Sequence, residues 1–134
     1  MRREWERLCK KYETVNPRLV IVFGSRARGD HLEHSDLDVL VVADSLPNDP
    51  RRAYELLYDP EDPLITPIGL NTQLFMKKLN QGSAFILEIL EDGIVICGDP
   101  DFKEQVLETY RSIRRCYMRI GKTWIKMDSN PRQS

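Results

Sequence analysis

Apolar residues in this chain follow two rhythms. From Arg18 to Phe23, and again from Leu37 to Val42, they run almost unbroken, short and rich in β-branched side chains, the pattern of strands covered on both faces. Ahead of them Trp5, Leu8, Cys9 and Tyr12 recur at helical spacing among charges, so residues 2–13 predict a short amphipathic helix that Asn16-Pro17 ends. Between the two apolar runs, Ser25 to Arg28 has room for one helical turn. Beyond Ala43, the loop residues Pro47, Asp49 and Pro50 lead into a helix from Arg51 to Tyr58, and Asp59-Pro60-Glu61-Asp62-Pro63 reads as a turn-rich break. Leu64 to Leu70 is a third strand, and Pro67 assigns it to a sheet edge or a bulge. Asn71 or Thr72 caps a helix through Leu79. A second helix starts at Ser83 and ends at Asp92-Gly93, and Ile94 to Cys97 is a brief strand. With Asp99 as cap and Pro100 in the first helical position, a long helix is expected to run toward Gly121 or past it.

This order of elements predicts an α/β fold of the α+β kind, a small mixed sheet flanked by helices with a long C-terminal helix. It forms a single domain over residues 1–128, with 129–134 as a disordered tail. Lys and Arg number 20 against 21 Asp and Glu, so no global field favours DNA or an anionic membrane, and any nucleic-acid contact would rest on a local patch. Cys9, Cys97 and Cys116 are odd in number and far apart, and they read as reduced thiols, with Cys97 a small buried apolar residue. No apolar run follows the basic start and none is long enough to span a bilayer. The expectation is a cytoplasmic protein.

The candidate chemistry lies where the two apolar runs face each other. Side chains alternate along a strand, so Asp36 and Asp38 at the head of the second run point the same way and repel. A divalent cation resolves that repulsion, and one or two carboxylates beside substrate phosphates is how Mg²⁺ is commonly held. Gly24-Ser25 complements the pair: glycine lets a phosphate approach the backbone, and a turn starting at Ser25 aims free N–H groups at an anion. Phosphate on one strand's end and metal on its neighbour's is the layout of a nucleotide site.

Gly24-Ser25-Arg26-Ala27-Arg28-Gly29 followed by Ser35-Asp36-Leu37-Asp38-Val39-Leu40-Val41 resembles the signature of the minimal nucleotidyltransferases of the polymerase β superfamily. The match is dense over residues 18–43. The remainder agrees loosely, in element order and in the Ser83-to-Gly93 helix followed by Ile94-Val95-Ile96. The resemblance implies the polymerase β-like nucleotidyltransferase fold. It also implies a nucleoside triphosphate as substrate, Mg²⁺ (two ions if catalytic), and transfer of a nucleotidyl group, AMP in some members, to an acceptor. Many prokaryotic members pair with a helical HEPN toxin as its antitoxin. Carried over, Gly24 and Ser25 hold the triphosphate, Arg26 and Arg28 assist with phosphate, and Asp36 and Asp38 are the catalytic metal ligands.

The family pattern adds a third carboxylate on a later strand, and Leu64 to Leu70 contains none. The nearest acids are Asp59, Glu61 and Asp62, with Asp62 the candidate to swing into place as a further metal ligand. Without it, acceptor activation weakens. Two readings therefore stand, a nucleotidyltransferase acting on a protein partner and a degenerate, non-catalytic antitoxin that works by contact, with a nucleotide sensor as a third. His31, His34, Asp30 and Glu33 in the intervening loop read as solvated. Phe102, Val106, Tyr110, Ile113, Tyr117, Ile120 and Trp124 form an apolar helical stripe. Its far end is a candidate surface for a partner or for homo-oligomers, flanked by a basic tract of Arg111, Arg114, Arg115, Arg119, Lys122 and Lys126.

Overall fold

The structure, a computed structural model, describes residues 2–24 and 36–127. Helix α1 (Arg2–Lys11) continues into a 3₁₀ turn at Tyr12–Val15 and is followed by β1 (Leu19–Phe23) and β2 (Leu37–Val42). Helix α2 (Pro50–Leu57) and β3 (Ile65–Leu70) come next, then α3 (Thr72–Asn80), α4 (Ala84–Asp92), β4 (Ile94–Gly98) and α5 (Pro100–Arg114). A hairpin of β5 (Tyr117–Ile120) and β6 (Thr123–Lys126) ends the described chain. Asn71 and Asp99 cap as expected, Asp49 caps where only a loop was expected, and Ser83 starts its helix without a side-chain cap bond. Asp49 and Asp99 accept from the backbone N–H groups of Arg51 and Asp101, each with proline in the first turn, and Asn71 accepts from that of Leu74 at 2.8 Å.

The strand order is β3-β2-β1-β4. β1 runs antiparallel to β2 and β4, and β2 runs parallel to β3. Pro67 lies on the edge strand, where its missing N–H costs no ladder bond. The central strands are buried on both faces, as their unbroken apolar runs require. Leu19, Ile21, Leu40 and Val42 pack under α3, α4 and α5, while Val20, Val22, Val39 and Val41 pack under α1 and α2. The alternation assigns Asp38 to the α3–α5 face with Leu40, and Asp62 turns to the α1 face.

Two expectations fail. The last helix stops at Arg114, and Tyr117, Ile120 and Trp124 belong to the hairpin. Their steps of three and four residues suit a helix, but β-branched and aromatic residues flanking Gly121-Lys122 also suit strands closed by a two-residue turn, and Gly121 takes the positive φ of 62° that such a turn needs. The stripe's outer end is therefore no extended helical surface, since Tyr117 and Trp124 pack back against the core. Nor are all the thiols reduced: Cys9 of α1 and Cys97 of β4 form a disulfide that ties the first helix to the sheet edge, with Cys97 half-buried, and Cys116 is free. The turn at Ser25 to Arg28, the loop residues Asp30, His31, Glu33 and His34, and the tail at 129–134 lie outside the described residues. No helix among the described residues is long and apolar enough to cross a membrane.

Candidate active site

β1 ends at Phe23, whose register partner on β2 is Asp38. The next residue, Gly24, adopts φ +87°, and a Cβ built there would sit 2.5 Å from Asp38 Oδ2. Glycine is thus needed twice over, for a backbone conformation other residues resist and for room beside a carboxylate. The contact brings the two halves of the motif together: backbone that can receive a phosphate lies against an oxygen that can receive a cation.

Asp38 is half-buried, and burial raises its carboxyl above the usual range, with the charge of Asp36 adding to the effect. Neither carboxylate makes an ion pair among the described residues. The pair fits Mg²⁺, which keeps several waters and takes one or two carboxylates beside substrate phosphates. No group of three acid, histidine or cysteine side chains among the described residues converges on one metal position.

The reason lies in the register. β2 and β3 run parallel with Asp38 opposite Thr66, so the neighbour sharing its face carries a hydroxyl in place of a third carboxylate. Asp62, the candidate for that role, is held elsewhere. Its Oδ2 accepts from Arg7 at 2.6 Å and lies 3.3 Å from Lys11 Nζ, both on α1 across the sheet. The Arg7 hydrogen bond, against a desolvation cost, holds the Asp62 carboxyl below the usual range. The structure brings Gly24 to Asp38 but does not bring Asp62 to either motif aspartate. Ser25, Arg26 and Arg28 lie outside the described residues.

Four charged residues that sequence reasoning did not place there stand around this centre. A cleft of about 200 Å³ is lined by Phe23, Gly24 and Asp38 together with Glu88 and Asp92 of α4 and Lys122 of the hairpin turn. Arg119 of β5 donates to Asp92 at 2.7 Å and also to Glu88, and Trp124 Nε1 donates to Glu88 at 2.9 Å. Arg114 reaches Glu91 at 3.2 Å, so Arg114 and Arg119 of the apparent basic tract are spent on fastening the hairpin to α4. The one hint in the sequence is Glu88 and Asp92 four apart, with Glu91 beside them, on a helix that is otherwise apolar, a polar stripe that needs either solvent or partners.

A four-stranded mixed sheet between helices, with glycine and an Asp-x-Asp pair meeting at the ends of its central strands, is the arrangement that the resemblance to nucleotidyltransferases leads one to expect. The chain belongs to the nucleotidyltransferase domain family, whose pattern residues 1–111 match. Among curated relatives it is 33% identical over 84 residues to "Putative protein adenylyltransferase MJ0604" of Methanocaldococcus jannaschii, spanning 58% of this chain and 75% of that one. A toxin–antitoxin crystal structure with AMP-PNP contains a chain of similar fold at TM-score 0.59 and 16% identity, covering 83% of this chain and 86% of that one. Another similar chain, TM-score 0.55 and 15% identity, comes from a tri-AMPylated Shewanella oneidensis HEPN toxin in complex with its MNT antitoxin and covers 86% of this chain and 87% of that one.

Proposed function

We propose that this protein binds ATP with Mg²⁺ and transfers AMP to a hydroxyl of a protein partner of the HEPN toxin type. The observation that carries the reading is the contact of Gly24 with Asp38, in a family member that is similar in sequence to "Putative protein adenylyltransferase MJ0604" and in fold to a chain of an AMPylated toxin–antitoxin complex. Asp36 and Asp38 hold the metal, Gly24 and Ser25 cradle the triphosphate, and Arg26 and Arg28 offset its charge. Bound Mg²⁺ supplies charge neutralisation for the attacking and leaving oxygens of an in-line displacement. The acceptor oxygen forms a bond to the α-phosphorus, the bond to pyrophosphate breaks, and the hydroxyl proton passes to solvent or to a base contributed by the acceptor.

Thr66 opposite Asp38 favours a second reading, a contact antitoxin that keeps nucleotide binding without efficient transfer. General-base assistance is worth about 100- to 10,000-fold in rate, so its loss separates binding from turnover. Calorimetric titration of ATP with and without Mg²⁺, into the wild type and the Asp36→Asn/Asp38→Asn double variant, tests the site. Metal-dependent binding that the variant loses is the expected result, and wild-type protein that ignores ATP defeats the reading. α-Labelled ATP with the partner then separates transferase from contact antitoxin.

A further inference from the structure

Lys122 at the tip of the β5–β6 hairpin is the feature outside the motif that faces the same cleft. It lines the cavity with Gly24 and Asp38, although it lies far from them in sequence. Three sets of contacts fix the strands that carry it. Arg119 is tied to Glu88 and Asp92, Trp124 donates to Glu88 with the Arg114 guanidinium stacked 4.7 Å from its ring, and Tyr117 fills the space over Gly82 that a Cβ there would take. Gly121 has positive φ, and a Cβ added to it would meet no heavy atom within 4 Å, so the turn itself stands open. The result is a fastened hairpin with a free cationic tip.

Arg114 and Arg119 are committed to acids, whereas Lys122 makes no ion pair among the described residues. A cleft of about 200 Å³ is below the roughly 300–1,000 Å³ that encloses a whole drug-sized ligand. Its size matches a phosphate group better than a whole nucleotide. An ammonium on a flexible stem binds phosphate oxygens as a point charge, without the bidentate geometry of a guanidinium.

On the reading that the Gly24–Asp38 centre binds nucleotide, we propose that Lys122 is a triphosphate-binding residue, carried by the hairpin over the phosphate path so that the C-terminal strands close the site. It contacts the β- or γ-phosphate of the nucleotide, and the α4 carboxylates serve as the hairpin's anchors rather than as metal ligands. A further consequence is discrimination by phosphate chain length, since AMP does not reach the tip.

The experiment is titration of ATP·Mg²⁺ and, separately, AMP into wild type, Lys122→Ala and Lys122→Arg. A lost hydrogen bond to a charged group corresponds to about a ten-fold weaker ATP affinity in Lys122→Ala. AMP affinity is expected to change less than about two-fold, and Lys122→Arg is expected to restore most of the loss. Unchanged ATP affinity in Lys122→Ala, with Asp36→Asn/Asp38→Asn still abolishing it, overturns the role of Lys122 and leaves the nucleotide site standing. Equal losses for ATP and AMP also overturn it, because they report displaced structure rather than a phosphate contact. Wild-type protein that binds no ATP overturns both readings together.

Discussion

Asp59 and Asp62, in the turn before β3, are held by Lys11 and Arg7 of α1, whereas Asp36 and Asp38, at the head of the neighbouring strand, look to the opposite face and make no ion pair with a described residue, Lys122 lining the same cleft without pairing. The first pair is pulled below the usual carboxylate range, chiefly by hydrogen bonds from Lys11 and Arg7. Asp38 is pushed the other way by burial and by Asp36. Both pairs stand at the same end of parallel strands, so position along the sheet does not explain the difference. What differs is whether the fold supplies a counter-charge. Where it does, the acids hold a helix in place. Where it does not, the repulsion between Asp36 and Asp38 stands uncompensated in the fold, which is what the proposed cation would relieve.

The largest effect expected from breaking this contrast is at Asp38. If the proposed site is right, Asp38→Asn takes away one of its two metal-holding carboxylates, so Mg²⁺-dependent ATP affinity should fall by at least about 100-fold. The melting temperature without ligand should stay level or rise, because a half-buried charge beside Asp36 is gone. A variant that binds ATP normally would remove the pair from the site. The converse change is at Thr66, the register neighbour of Asp38. If its hydroxyl stands where the third carboxylate is missing, Thr66→Asp should raise AMP transfer by about 100-fold, the lower end of general-base assistance, as measured by label transfer to the partner. An unchanged rate would show that geometry at β3, and not residue type, limits turnover.

Gly24→Ala acts on both chemistry and fold. Left-handed backbone costs a non-glycine residue roughly 1–2 kcal/mol, and the new methyl meets Asp38 Oδ2. Chemical denaturation should show a loss of about that size or more, accompanied by weaker ATP binding. An equally stable Gly24→Ala protein would mean that β1 and β2 are not locked together at this point.

The strands, the caps at Asn71 and Asp99 and the meeting of Gly24 with Asp38 were legible because each depends on local signals: β-branched runs, Asp-Pro at the start of α5, alternation along β2. The hairpin was not. Tyr117, Ile120 and Trp124 satisfy helical spacing and strand propensity alike, and what decides between them is Arg119 reaching Glu88 and Asp92 on α4, a pairing that sequence distance conceals. The disulfide fails in the same way, since Cys9 and Cys97 are 88 residues apart and meet only because α1 lies along β4. Asp62 was a plausible ligand by proximity in the chain, but strand order puts α1 beside it first.

The smallest expected effect is at Asp62 and concerns stability alone. Its partner Arg7 is largely exposed while Lys11 is mostly covered, so screening leaves Asp62→Asn a cost of about 0.2–1 kcal/mol and ATP affinity at the wild-type value. The pH dependence has a definite sign. A carboxyl whose folded value is depressed below the ordinary aspartate value of about 3.9 binds fewer protons folded than unfolded between those values. Its stabilisation is therefore complete above roughly pH 5, and falls as acid carries the solution through that interval. Denaturation of wild type and Asp62→Asn at neutral pH and near pH 3 should show the gap between them closing in acid. A gap that stays constant would assign the loss to packing rather than to charge, and a loss of ATP binding in Asp62→Asn would return this residue to the metal site.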